Sequence, residues 1–174
     1  MNPILQKNIP DLRYNGSMIY AETFETRFGV MTVAVAADGA VVSLEFSERA
    51  PEGSSHDPLI TRQAKRQIQE YCDGERTEFD LPLAPGGTEF QNQVWAEVAK
   101  IPFGHTRTYG QIASAVGNKD AARAVGAASG ANPIPIIVPC HRVIAADGGL
   151  GGFAYGTGVK SRLLAFESEQ PSLF

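Results

Sequence analysis

The chain of 174 residues has two cysteines, Cys72 and Cys140, and no Cys-x-x-Cys pair. That excludes a disulfide framework, and in a reducing compartment both residues are expected as thiols. In the first half, His56 and Cys72 are the only His or Cys side chains, too few for a zinc centre, so no metal is expected. Nothing points to a cofactor. No apolar run approaches the roughly 20 residues that span a bilayer. The opening residues Met1-Asn2-Pro3-Ile4-Leu5-Gln6-Lys7 lack the core of a signal peptide, so the expected location is cytoplasmic. Internal repeats and low-complexity segments are also missing. Positive charge is not in excess: the formal net charge is −4, which on average argues against a nucleic-acid partner. The distribution weakens that objection. Residues 1–87 carry 8 Lys+Arg against 13 Asp+Glu, whereas residues 88–174 carry 7 against 6. A DNA partner belongs on the second half, with few phosphate contacts.

What is present is globular: 43% hydrophobic and 20% charged residues, enough for one large domain or two small ones. Met18–Glu25, Val30–Ala36 and Ala40–Phe46 are strand candidates, with Asp38-Gly39 as a tight turn. Asp57-Pro58 predicts an N-cap and first helical residue, Ile60, Ala64, Ile68 and Tyr71 recur at helical spacing, and Gly74 supplies a stop. Cys72 reads there as a small packed hydrophobe. Leu81-Pro82-Leu83-Ala84-Pro85-Gly86-Gly87 has linker composition, which divides the chain into an α/β unit over 1–82 and a mostly helical unit over 83–174. Thr88 with Gln91 and Thr108 with Gln111 are capping boxes opening two helices. His105, just before the second, reads as an exposed loop residue. The second helix ends at Gly117; after the turn Asn118-Lys119, Asp120 is expected to cap another over Ala121–Ser129. Two short helices joined this way form a helix-turn-helix pattern.

The chemistry is concentrated in Pro139-Cys140-His141-Arg142-Val143, which follows the apolar run Ile134-Pro135-Ile136-Ile137-Val138, expected as a buried strand. An unperturbed thiol is only about 3% thiolate at pH 7, so a nucleophilic cysteine needs help to ionise. His141 is the natural base. Adjacent residues of an extended chain face opposite ways, which argues against a direct Cys140–His141 hydrogen bond. A base also needs a partner to fix its tautomer. The helix Ala121–Ser129 is nearly free of bulk apart from Arg123 and Val125, so its backbone can approach another surface closely while Arg123 projects.

Ala121-Ala122-Arg123-Ala124-Val125-Gly126 and Ile134–Val143 resemble the O6-alkylguanine-DNA alkyltransferases, and the likeness runs from Thr88 to Glu167. It implies an α/β fold: an N-terminal ribonuclease-H-like α/β domain, matched here only in length and element order, and a C-terminal helical domain with a helix-turn-helix and the reactive cysteine. It also implies single-turnover transfer of the O6-alkyl group of guanine in duplex DNA to Cys140. By the same resemblance, a water bridges Cys140 and His141, Glu167 on a final helix over Gly158–Glu169 orients the histidine, and the Tyr109 hydroxyl faces guanine N3. Arg123 fills the gap left by an extruded nucleotide in the minor groove. Asn132 is a hinge between the recognition helix and the active-site segment. Val143 and Ala154 offer backbone groups to the base, Phe153 walls the pocket, and the glycines of Gly148–Gly156 shape its lid. Asn118 lies at the DNA backbone, and Gly110 and Ala146 approach DNA through main chain. The partner expected is double-stranded DNA bound by a monomer, with cooperative binding an open option.

Three rivals are weaker. Binding-only relatives carry tryptophan at the position of Cys140. A helix-turn-helix transcription factor needs bulky polar residues on its second helix to read base edges, and Ala121–Ala128 lacks them. A cysteine hydrolase needs an oxyanion hole, which nothing here marks.

Overall fold

The computed structural model describes residues 17–169; the N-terminal segment Met1–Lys7 lies outside them. Three antiparallel strands come first, β1 (Ile19–Thr26), β2 (Gly29–Ala36) and β3 (Val41–Glu45), in the order β1-β2-β3. The Asp38-Gly39 turn forms as expected: Gly39 takes φ +86°, and the Asp38 carboxylate accepts from Ala40 N at 3.0 Å. Helix α1 (Pro58–Asp73) packs on the sheet, capped by Asp57, with Gly74 left-handed at its end.

The segment 81–87 is not a loose tether. Val41 N donates to Pro82 O and Ala84 N donates to Val41 O, so the chain runs alongside β3 before leaving the sheet. Both capping boxes form, opening α2 (Glu89–Ala99) and α3 (Tyr109–Ala115). A two-residue strand β4 (Arg107–Thr108) pairs in parallel with β5 (Val143–Ile144). Helix α4 (Ala122–Gly130) completes the helix-turn-helix and is tied to α2 by Trp95 Nε1 donating to Ala128 O at 2.9 Å. The last helix, α5, spans Thr157–Glu169. No helix among the described residues is long and apolar enough to cross a membrane.

Two local expectations are corrected. Asp120 does not cap α4. The N-cap is Ala121, with no side-chain cap bond. Asn118 organises the turn instead, its Oδ1 accepting from Asp120 N and its carbonyl from Ala121 N. The run Ile134–Val138 is not a strand either. It folds into a buried turn with Ile136 at φ +72° and one bridge between Pro135 and Val138. Prolines at 133, 135 and 139 remove the donors a ladder needs. What keeps the segment buried is Asn132: its Oδ1 accepts from Ile134 N and its Nδ2 donates to Val138 O, at 3.0 and 2.8 Å.

One hydrophobic core runs through both halves, from Met31, Leu44 and Tyr71 to Trp95, Ile134 and Leu163. Phe28 meets Phe166 edge-on at 5.3 Å, and Leu44 N donates to Pro133 O. The sheet thus buttresses the turn that carries Cys140.

Candidate active site

The buried turn ends at Pro139, and Cys140–Arg142 form one turn of 3-10 helix before β5. This replaces the extended geometry expected at Cys140-His141. Cys140 is 5% exposed, and its Sγ lies 3.2 Å from Asn132 Nδ2. The amide that closes the preceding turn therefore also reaches the sulfur. A hydrogen bond donated to sulfur favours the thiolate over the thiol.

His141 is fully buried, and its Nε2 lies 2.8 Å from Glu167 Oε1. Glu167 is 2% exposed on α5. Burial alone would raise its pKa, but hydrogen bonds from His141 and Arg142 outweigh that and hold it down at about 2. A carboxylate can only accept, so the proton of the pair sits on His141 Nε2. Nδ1 is left with a lone pair, and it is buried with no hydrogen-bond partner among the described residues. Burial, more than any neighbour, lowers the pKa of His141 and keeps the ring neutral, with Arg142 and Lys160 acting in the same direction. The imidazole is thus a base with its accepting nitrogen unsatisfied.

Glu167 is over-determined. Its two oxygens accept from Tyr71 Oη at 2.7 Å, Gly104 N at 3.1 Å, His141 Nε2, and the Arg142 guanidinium at 2.8 to 3.1 Å. Arg142 is buried too, and its Nη1 donates to Ile101 O at 2.6 Å. A buried ion pair is tolerable only with this degree of hydrogen bonding.

Tyr109 opens α3, and its hydroxyl donates weakly to Gly152 O at 3.4 Å. Burial, then the charge of Cys140, raises its pKa, so the phenol stays protonated. Gly151, left-handed at φ +65°, lies where an added Cβ would sit 2.7 Å from that hydroxyl; a side chain at 151 would displace the tyrosine. Phe153 is partly buried, its ring 5.7 Å from Tyr155, and Ala154 is exposed. Val143 is buried, and its carbonyl already accepts from Lys160 Nζ at 2.5 Å. Lys160 is fully buried, also donates to Gly152 O at 3.3 Å, and stands 5.8 Å from the Tyr109 ring. It therefore ties the segment around Gly152 to β5. Burial lowers its pKa, and the charge of Cys140 acts in the opposite direction, which makes it a cation on the thiolate's side of the balance.

Arg123 is exposed on α4, its side chain in no ion pair or hydrogen bond with another described residue, and Asn118, Ala146 and the partly buried Gly110 lie on loops or at a helix start. Cys72 takes no part: it is 1% exposed, and burial pushes its thiol up to about 12.

Comparison with known proteins places this geometry. Residues 19–85 match the model described as 6-O-methylguanine DNA methyltransferase, ribonuclease-like domain, and residues 89–169 match 6-O-methylguanine DNA methyltransferase, DNA binding domain. The chain is 56% identical over 154 residues to the methylated-DNA–protein-cysteine methyltransferase of Methanosarcina acetivorans, covering 86% of this chain and 98% of that one. The chain belongs to this methyltransferase family. Among solved structures, Mycobacterium tuberculosis O6-methylguanine methyltransferase superposes with a TM-score of 0.82 at 40% identity, covering 90% of this chain and 97% of that one. The same enzyme in complex with DNA gives 0.81 at 40% identity, covering 88% and 96%.

Within the methyltransferase fold, the structure brings Cys140, His141, Glu167 and Asn132 into one buried cluster; Val143 is buried beside it, and Tyr109 and Phe153 are partly buried. It leaves Arg123, Asn118, Ala146 and Ala154 exposed and Gly110 partly so. Sequence reasoning missed Arg142, Lys160 and Tyr71. Arg142 sits inside the quoted motif, and its burial goes with its bonds to Glu167 and Ile101 O, neither of them near it in sequence. Lys160 and Tyr71 occupy apolar faces of helices, where a polar end turned inward is the available signal.

Proposed function

We infer that this protein repairs DNA by transferring the O6-alkyl group of guanine to Cys140, once per molecule. Family membership supports the activity, and the buried Cys140–His141–Glu167 set is the observation that carries the assignment of residues. Duplex DNA binds the helix-turn-helix through its minor groove. The small residues of α4 let its backbone approach, and Arg123 occupies the space of the extruded nucleotide, offsetting a few kcal/mol of lost stacking and pairing. Asn118 meets the DNA backbone, and Gly110 and Ala146 meet DNA through main chain. Val143, Phe153 and Ala154 hold the everted base by backbone groups and ring contact.

Cys140 gives its proton, through a bridging water, to His141 Nδ1, whose basicity is supported by Glu167. The thiolate attacks the alkyl carbon in line with the departing O6. The S–C bond forms as the C–O6 bond breaks, and that electron pair passes to the purine. Tyr109, protonated, donates toward guanine N3 and stabilises the developing negative charge. The product is a thioether, which has no good leaving group, so the alkyl group stays on Cys140. We place the protein in the cytoplasm as a monomer, with no cofactor and no metal in the reaction.

The test is stoichiometric. With O6-methylguanine duplex in excess, transfer should stop at one methyl per chain. Continued turnover would contradict the reading.

A further inference from the structure

Glu167 is held partly from outside the reacting half. Tyr71 lies on the buried face of α1, and its hydroxyl donates at 2.7 Å to Glu167 Oε1, 96 residues away in sequence. That is the same oxygen that faces His141 Nε2 at 2.8 Å. The Tyr71 ring is fixed by Phe79, Phe103 and Phe166, with centroids 5.5, 6.0 and 5.8 Å away. Burial, then the charge of Glu167, keeps the phenol protonated, so it acts only as a donor there. An oxygen that accepts a strong donor is a weaker acceptor for its other partners, because both draw on the same electron density. The hydroxyl therefore limits how far Glu167 stabilises a protonated His141.

We propose that Tyr71 is a positioning residue for alkyl transfer: from the N-terminal half it sets, through Glu167 Oε1, how readily His141 takes the proton of Cys140. This rests on the function inferred above. The other titratable or charged groups facing this cluster are Arg142 from the 3-10 turn, Lys160 from α5, Cys140 itself, and Cys72 from α1. All stay in place when only the Tyr71 hydroxyl is removed.

The experiment is the pH profile of the second-order rate constant for methyl transfer to full-length protein, across the range in which histidine titrates. Tyr71→Phe keeps the ring and its packing. Without the hydroxyl, Glu167 accepts more strongly from His141, the imidazole becomes more basic, and the acid limb should move to higher pH by about half a unit. Ile68→Val, on the buried face of the same helix, should leave the limb where it is. Site-specific Tyr71→3-fluorotyrosine keeps the fold and makes the phenol a stronger donor, so the limb should move to lower pH. NMR titration of the His141 ring in the same three variants, without DNA, should show the same ordering. A uniform loss of rate in Tyr71→Phe with an unmoved limb and an unmoved His141 titration would overturn the proposal. Absence of transfer by the unaltered protein would overturn the function itself, while the His141 titration would still report on Tyr71.

Discussion

Cys140→Ala and Cys140→Ser should be folded, DNA-binding proteins that transfer no methyl. Alanine has no nucleophile. A serine hydroxyl, unlike the thiol, is not appreciably ionised by a neutral imidazole and is a far weaker nucleophile toward a saturated carbon. The fold should survive because Asn132, though it loses the sulfur, keeps its bonds to Val138 O and Ile134 N. The buried turn is therefore still closed, and the stability cost should be about 1 kcal/mol, typical of a single buried truncation. Gel-shift or anisotropy with lesion-bearing duplex should give affinity within a few-fold of the unaltered protein, since the helix-turn-helix is untouched. Residual transfer in Cys140→Ala would mean that another atom accepts the alkyl group.

Glu167→Gln should damage both rate and stability. Glu167 accepts six hydrogen bonds from four groups, and a glutamine offers one accepting oxygen in place of two. Arg142 would be left buried with its charge uncompensated, which costs about 3–5 kcal/mol. Loss of the partner that orients and charges the base should slow transfer by about 10²–10⁴-fold. The pH dependence follows from the depressed carboxyl. Its stabilising contribution is complete above the unfolded-state value of about 4.3, and it is lost as pH falls toward the folded value of about 2. Denaturant titrations should therefore show the unaltered protein weakening across that acid window. Glu167→Gln, already weak at neutral pH, should lack this part of the slope. A variant as stable as the parent at neutral pH would mean that the buried ion pair does not hold α5 to the 3-10 turn.

Local patterns in the sequence located much of this fold. The Asp57 cap, both capping boxes and the Asp38-Gly39 turn form as their residues predict, because each is decided within a few residues. Ile134–Val138 misleads for a physical reason. A run of branched apolar residues looks like a strand, but the prolines strip its donors and Asn132 supplies the bonds a ladder would have made. Asp120 fails as a cap because the helix starts one residue later, with Ala121 as N-cap, which leaves Asp120 in the turn that Asn118 Oδ1 organises. In the site, Cys140, His141 and Glu167 are legible through family resemblance, since 26 residues separate the histidine from its carboxylate and no local spacing joins them. Tyr71 and Lys160 are the harder cases. Each presents a mostly apolar stem to the core, and only the folded chain shows where the polar end arrives.

Mass spectrometry of the protein after mixing with an O6-methylguanine duplex decides whether Cys140 is the alkyl acceptor. A gain of about 14 Da, a methyl in place of a hydrogen, should be confined to the peptide that contains Cys140 and absent from the Cys72 peptide. An unmodified Cys140 beside repaired DNA, or a methyl found on any other side chain, would contradict it.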